Sequence, residues 1–195
     1  MRHLTLIGIV STIFAAAGFS QSPDPAAWQS KLAYHAETAY GLEAIAGSAL
    51  YDGLLQEFDY PKEWRQGTVG YAERFASTLA YSGIRNTLAF GLDTALHQDP
   101  RYYRSGDAPF WRRMGHVFGG TILTRKDSGG ETFATWRFAS AYSAAFLSNE
   151  WYPDRLNTVK LGFVQGTAQI GFDALANLRT EFWPDIKKKI LHRKP

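Results

Sequence analysis

Between positions 93 and 104 the chain carries Asp93, His97, Asp99, Arg101 and Arg104, with Tyr102 and Tyr103 between the two arginines. An imidazole oriented by a carboxylate is a proton-transfer pair, and two neighbouring guanidiniums make a fork for a phosphate or carboxylate. On a helix Ser82, Asn86, Asp93 and His97 share one stripe, because steps of four and seven return to the same face. One reading is therefore a hydrolase or transferase using His97 and Asp93 on an anionic substrate, with Asp99, Arg101, Tyr102, Tyr103 and Arg104 binding the ligand. The favoured reading is architectural: His97 closes a helix C-terminus against its dipole, Asp99-Pro100 turns the chain, and the arginines tie loops down.

No familiar enzyme motif stands beside this cluster. Gly-x-Ser-x-Gly, His-Glu-x-x-His, the Gly-x-x-x-x-Gly-Lys-Ser/Thr phosphate loop and Gly-x-Gly-x-x-Gly after a strand are all missing from the sequence. His35, His97 and His116 are too far apart in sequence to mark a metal site, and no cofactor is expected. The chain has no cysteine, which excludes thiolate nucleophiles and zinc–sulfur centres. A non-catalytic protein is expected.

The elements that would position these residues begin with an export signal. Met1-Arg2-His3, the apolar run from Leu4 to Phe19 and small residues at Gly18 and Ser20 are the parts of a secretory signal peptide over 1–20, cut before Gln21. An uncleaved anchor is the competing reading, the run falling just short of the roughly 17 residues that cross a bilayer. The expected destination is the periplasm or cell envelope. A flexible segment over 21–27 then leads into a helical domain over 28–182 and a basic amphipathic tail over 183–195. The mature part, about 175 residues, suffices for one domain with a sizeable core.

Apolar spacing predicts helices over 26–57, 63–96, 109–123, 132–148 and 153–182, with a turn cluster over 124–131. The expected fold is an all-α, single-domain bundle of about five Gly/Ala-rich helices. A β-barrel, which Gly- and aromatic-rich exported chains also suggest, is disfavoured because the alternation is poor. The mature chain has no uncharged run of spanning length, so no transmembrane helix is expected after the signal. Glycine pairs four apart, Gly115 with Gly119 and Gly162 with Gly166, predict close helix approach under bulky aromatics, and Gly-rich faces offer a route to a homo-oligomer. Arg85, Asp93, Arg137 and Asp173 interrupt otherwise apolar helices. Such charges must pair, which predicts a structural ion network.

Net charge is +3, with much of the excess at Lys187, Lys188, Lys189, Arg193 and Lys194. Arg101, Arg104, Arg112, Arg113, Arg125, Lys126 and Arg137 form a second cationic stretch, read either as a solvated face or as a contact for anionic head groups. In the tail, Phe182, Trp183, Ile186 and Ile190 beside the lysines have the build of a helix lying in a membrane interface. The expected partner is an anionic membrane surface or envelope component, not nucleic acid.

The strings Gln98-Asp99-Pro100-Arg101-Tyr102-Tyr103-Arg104, Asn149-Glu150-Trp151-Tyr152-Pro153 and Glu181-Phe182-Trp183-Pro184-Asp185-Ile186-Lys187 resemble a group of short exported bacterial proteins with no assigned activity. The resemblance spans most of the mature chain and implies export. It implies no mechanism.

Overall fold

A computed structural model describes residue 24 and residues 26–191. The expected signal peptide and the last four residues lie outside the described residues. Among them run six α-helices: α1 Trp28–Tyr40, α2 Leu42–Glu57, α3 Gly67–Ala95, α4 Phe110–Ile122, α5 Thr135–Ser148 and α6 Val159–Leu191. A small antiparallel sheet, β1 Gln98–Asp99, β2 Leu123–Lys126 and β3 Glu131–Phe133, in that order, closes one end. The chain is an all-α single domain. Its long central helix α3 packs on α1, α2 and α5, while α6 packs on α4 and α5.

Four element boundaries differ from expectation. The predicted first helix is two, because Gly41 leaves the helical region at ψ 163°, and a Cβ there would lie 2.5 Å from the Glu37 carbonyl oxygen. The expected turn over 124–131 contains a hairpin: Gly129 and Gly130, both at positive φ, reverse the chain so that Arg125 faces Glu131 and Thr124 faces Thr132. Helix α6 starts at Val159 instead of near Pro153, after Thr158 Oγ1 accepts the Leu161 amide at 3.1 Å as a cap would. Finally, α6 continues through Pro184, so the tail is no separate helix. Proline offers no amide to the preceding turn and crowds it. One residue beyond the Thr180 carbonyl that Pro184 cannot serve, Arg104 and Arg113 donate to the Glu181 carbonyl and brace this turn from outside.

Close approach is real on one glycine pair only. Gly162 and Gly166 lie beneath the Phe146 and Tyr142 rings, where a Cβ at Gly162 would sit 2.6 Å from Phe146. Gly115 and Gly119 face open space, so the same four-residue spacing does no such packing in α4.

The interior is inverted relative to an ordinary domain. Lys31, His35, Asp52, Arg74, Asp93, Arg137 and Glu181 are buried, whereas Leu42 is 83 %, Trp111 80 %, Phe58 76 % and Leu50 74 % exposed. Besides charge, the centre holds Trp136, Val117 and Leu156 and otherwise small residues: Ala39, Ala89, Ala141, Ala144 and Ala145, with Ser140 and Ser148. Each buried charge has a fixed job. Arg74 donates to the carbonyls of Tyr60, Pro61 and Arg65 and to Gln56 Oε1, all within 2.9 Å, and so locks the link between α2 and α3.

Gly166→Val should lower unfolding free energy by about 2 kcal/mol through collision with Tyr142. Gly47→Ala and Gly171→Ala, which meet nothing within 4 Å, should be neutral or stabilise by up to about 1 kcal/mol. Urea denaturation of the three variants checks the contrast.

Candidate functional site

Helix α1 projects Lys31 and His35, one turn apart, into the C-terminal half of α3. His35 Nε2 lies 2.6 Å from Asp93 Oδ2 and Nδ1 lies 3.0 Å from Asn86 Oδ1. Because Asn86 Nδ2 donates to the Ser82 carbonyl, its Oδ1 is the acceptor and the imidazole donates to it. Lys31 Nζ donates to the Asp93 and Gln98 carbonyls and to Asp127 Oδ2 at 2.7 Å. Tyr34, Phe90 and Trp136 stand edge-on around the imidazole at centroid distances of 5.2–6.5 Å. The cluster is sealed, and its acids and bases already hold one another.

His97 is not part of it. Helix α3 ends at Ala95, and φ of 52° at His97 turns that side chain outward, 82 % exposed and 3.8 Å from Asp127. The alternative pairing of His97 with Asp93, the basis of the hydrolase reading, is therefore absent. The helical stripe that aligned them stops two residues short, and Asp93 serves His35.

The expected arginine fork also divides. Asp99 accepts from the Arg101 amide at 3.1 Å, from Arg101 Nη1 at 3.0 Å and from Tyr103 Oη at 2.6 Å, while Arg101 Nη2 donates to the Ser30 carbonyl of α1. Arg104 turns the other way, towards α6, where Nε donates to the Glu181 carbonyl and Nη2 lies 3.3 Å from Asp185. Arg125 stacks on Tyr103. The recess among Arg101, Tyr102, Tyr103, His116 and Arg125 holds about 30 Å³, roughly one water.

Glu181 is the anchor of the second polar cluster. Its carboxylate accepts from Ser105 Oγ at 2.7 Å, Arg113 Nε at 2.8 Å, Tyr102 Oη at 2.9 Å and the Ser105 amide at 3.1 Å. Burial alone would raise its pKa, but hydrogen bonds from Ser105, Arg113 and Tyr102 outweigh that and hold it at about 2. Burial, reinforced by the bond to Glu181, pushes the Tyr102 phenol up. Arg113 also meets Asp185 at 2.7 Å and lowers that carboxyl.

Across the bundle, Arg85 pairs with Asp173 at 2.6 Å and Arg137 approaches the same carboxylate at 3.7 Å, forming the ion network expected from the sequence. Asp93 stands outside it, with His35. Arg137 Nη1 also donates to the Gly120 and Thr121 carbonyls near the end of α4. Lys31, His35, Arg74 and Glu181 were not singled out as site residues. The only signal for them was polar residues at helical spacing, Lys31 with His35 and Gln165 through Glu181, which reads equally as a solvated face.

What remains open is surface. Phe110 stacks against Trp111 and Phe182 at 5.0 and 5.5 Å, and Arg113 lies over the Phe182 ring at 4.3 Å. Phe110, Trp111, Trp183, Ile186 and Ile190 are exposed, next to exposed Arg112, Lys187, Lys188 and Lys189. Phe182 itself is half-buried, more a support than a contact. A groove of about 380 Å³ at Trp64, Glu73, Ser77 and Trp151 offers one carboxylate and no partner base. Among the described residues no group of three His, Asp or Glu side chains is placed to hold a metal, and no helix is long and apolar enough to cross a membrane. No family model, curated protein or solved structure matches the chain.

Glu181→Gln should cost about 3 kcal/mol at pH 7, because an amide cannot accept all four of the hydrogen bonds that Ser105, Arg113 and Tyr102 give the buried carboxylate. With its folded pKa near 2 against an ordinary 4.5, Glu181 contributes stability above pH 4.5 that is lost as pH falls towards 2, so melting temperature should drop through that window more steeply in the native chain than in Glu181→Gln. His35→Ala should cost about 3 kcal/mol, His97→Ala under about 0.5. Thermal melts against pH check all three.

Proposed function

We propose that the protein is an exported, non-catalytic component of the cell envelope that holds to an anionic membrane surface through the end of the bundle where α4 begins and α6 finishes. The observation that carries this reading is the exposed aromatic and basic cluster of Phe110, Trp111, Trp183, Ile186 and Ile190 with Lys187, Lys188 and Lys189. Indole rings favour the boundary between head groups and acyl chains, and each lysine near an anionic bilayer adds about 1 kcal/mol of attraction. Two elements converge on this patch, so its shape does not depend on a dangling tail: the Phe110–Phe182 contact and the Arg113 clasp on Glu181 and Asp185 set it in place. Export accords with the signal-like first twenty residues and with the resemblance to short exported bacterial proteins. The hydrolase reading loses support because His97 and Asp93 part company.

Flotation with vesicles containing anionic lipid tests the proposal. The chain should float at low salt and progressively less as salt rises. Lys187→Gln, Lys188→Gln and Lys189→Gln together should weaken binding by about 3 kcal/mol, roughly a hundredfold, and Trp111→Ser with Trp183→Ser should weaken it at every salt concentration. A chain that stays with the aqueous fraction, or floats equally well without these groups, refutes the reading.

A further inference from the structure

The inverted polarity of the bundle is sharpest along α2 and α6. These helices meet through side chains, with Glu43 2.7 Å from Arg179 at one end and Tyr51 against Phe172 further along. On α6, residues 161–178 turn every polar group but Thr167 towards the bundle: Gln165, Gln169, Asp173 and Asn177 recur each fourth residue. All four have partners, Ser148, Asp173, Arg85 and Thr121 in turn. The outward residues are Phe163, Val164, Thr167, Ala168, Gly171, Phe172, Leu175 and Ala176, without a charge. Helix α2 repeats the arrangement: Asp52 is fully buried and bonded to Thr78, while Leu50 and Leu54 stand 74 % and 58 % exposed.

We infer that this joint α2–α6 face is buried in lipid acyl chains, with the α6 polar stripe held by partners inside the bundle and Asp52 of α2 bonded there through Oδ1 alone. The inference rests on the membrane reading above and deepens it from surface contact to immersion. Three features select hydrocarbon over a second copy of the chain. Residues 161–178 extend about 27 Å at 1.5 Å per residue, close to the roughly 30 Å of a bilayer's apolar core. Charge returns at both borders: Glu43 and Arg179 at one, Glu57 and Lys160 at the other. The first border adjoins the Trp183 and lysine cluster, which is where an interfacial rim belongs. Interior-facing polar groups beneath apolar exteriors are also the arrangement that hydrocarbon imposes on helical bundles. The period-four polar stripe lowers the mean hydropathy of α6 even though its outer face is apolar.

Because the native chain has no cysteine, single-cysteine variants of the full-length protein can carry an environment-sensitive nitrobenzoxadiazole dye. Leu50→Cys and Phe172→Cys replace exposed side chains, and Lys62→Cys serves as a reference at the charged border. With vesicles of phosphatidylglycerol and phosphatidylcholine, dye at positions 50 and 172 should brighten at least threefold and be quenched by spin labels placed mid-chain in the lipid, with position 62 unchanged. Vesicle-bound protein whose dyes at 50 and 172 stay unquenched overturns immersion and leaves surface attachment standing. Failure to bind overturns both readings. Brightening without vesicles that grows with protein concentration assigns the face to a second copy and also overturns the inference.

Discussion

Moving an ionised side chain from water into a packed interior costs several kcal/mol, and the attraction of a partner recovers this only when geometry is close and the remaining hydrogen bonds are filled. The bundle is organised around that constraint. Lys31 and His35 bind α1 to the C-terminal end of α3, Arg74 fastens the α2–α3 link, Arg85 and Asp173 join α3 to α6, and Glu181 gathers Tyr102, Ser105 and Arg113 onto α6. Helix order and orientation are thus written in polar contacts that tolerate little sliding. Apolar packing supplies less of this specificity than usual, since alanine and serine line much of the centre.

Small residues follow from the same constraint. A guanidinium that must reach backbone carbonyls, as Arg137 reaches Gly120 and Thr121, needs helices near enough for a side chain to bridge them. Ala141, Ala144 and Ala145 on α5 permit the approach, and Gly162 and Gly166 let the Phe146 and Tyr142 rings settle on the α6 backbone. The helix propensity lost at those glycines is offset by contact. At Gly115 and Gly119 no such contact exists, and the structure offers no account of why glycine stands there.

The helical class and most helix positions were legible because 3.6-residue spacing and Pro or Gly breaks are local signals. The break at Gly41 was not, since one glycine within an apolar-periodic run reads equally as interior. The ion network of Arg85, Arg137 and Asp173 was legible from cost alone: charges in apolar helices must pair. The alternative reading of the polar cluster, which paired Asp93 with His97, fails for a geometric reason. Periodicity places Asp93 and His97 together only if the helix reaches 97, and the partner that Asp93 takes instead, His35, lies 58 residues earlier, where spacing carries no information. The inward turn of Gln165, Gln169, Asp173, Asn177 and Glu181 was likewise hidden, because a polar stripe does not say whether water or protein covers it.

That ambiguity bears on function. His35 with Asp93 and Arg113 with Glu181 are spent in mutual contacts, so these four side chains act as braces between helices. An exterior bearing Leu42, Leu50, Phe58 and Trp111 is costly in water, about 25 cal/mol for each Å² of apolar area left wet. An apolar environment removes that cost and at the same time strengthens the ion pairs inside, because their solvent screening falls. Under the membrane reading proposed above, one medium would account for both halves of the inversion. Averaging hydropathy along each helix discards this information, since it sums an apolar outer face with the polar inner stripe that the neighbouring helices satisfy.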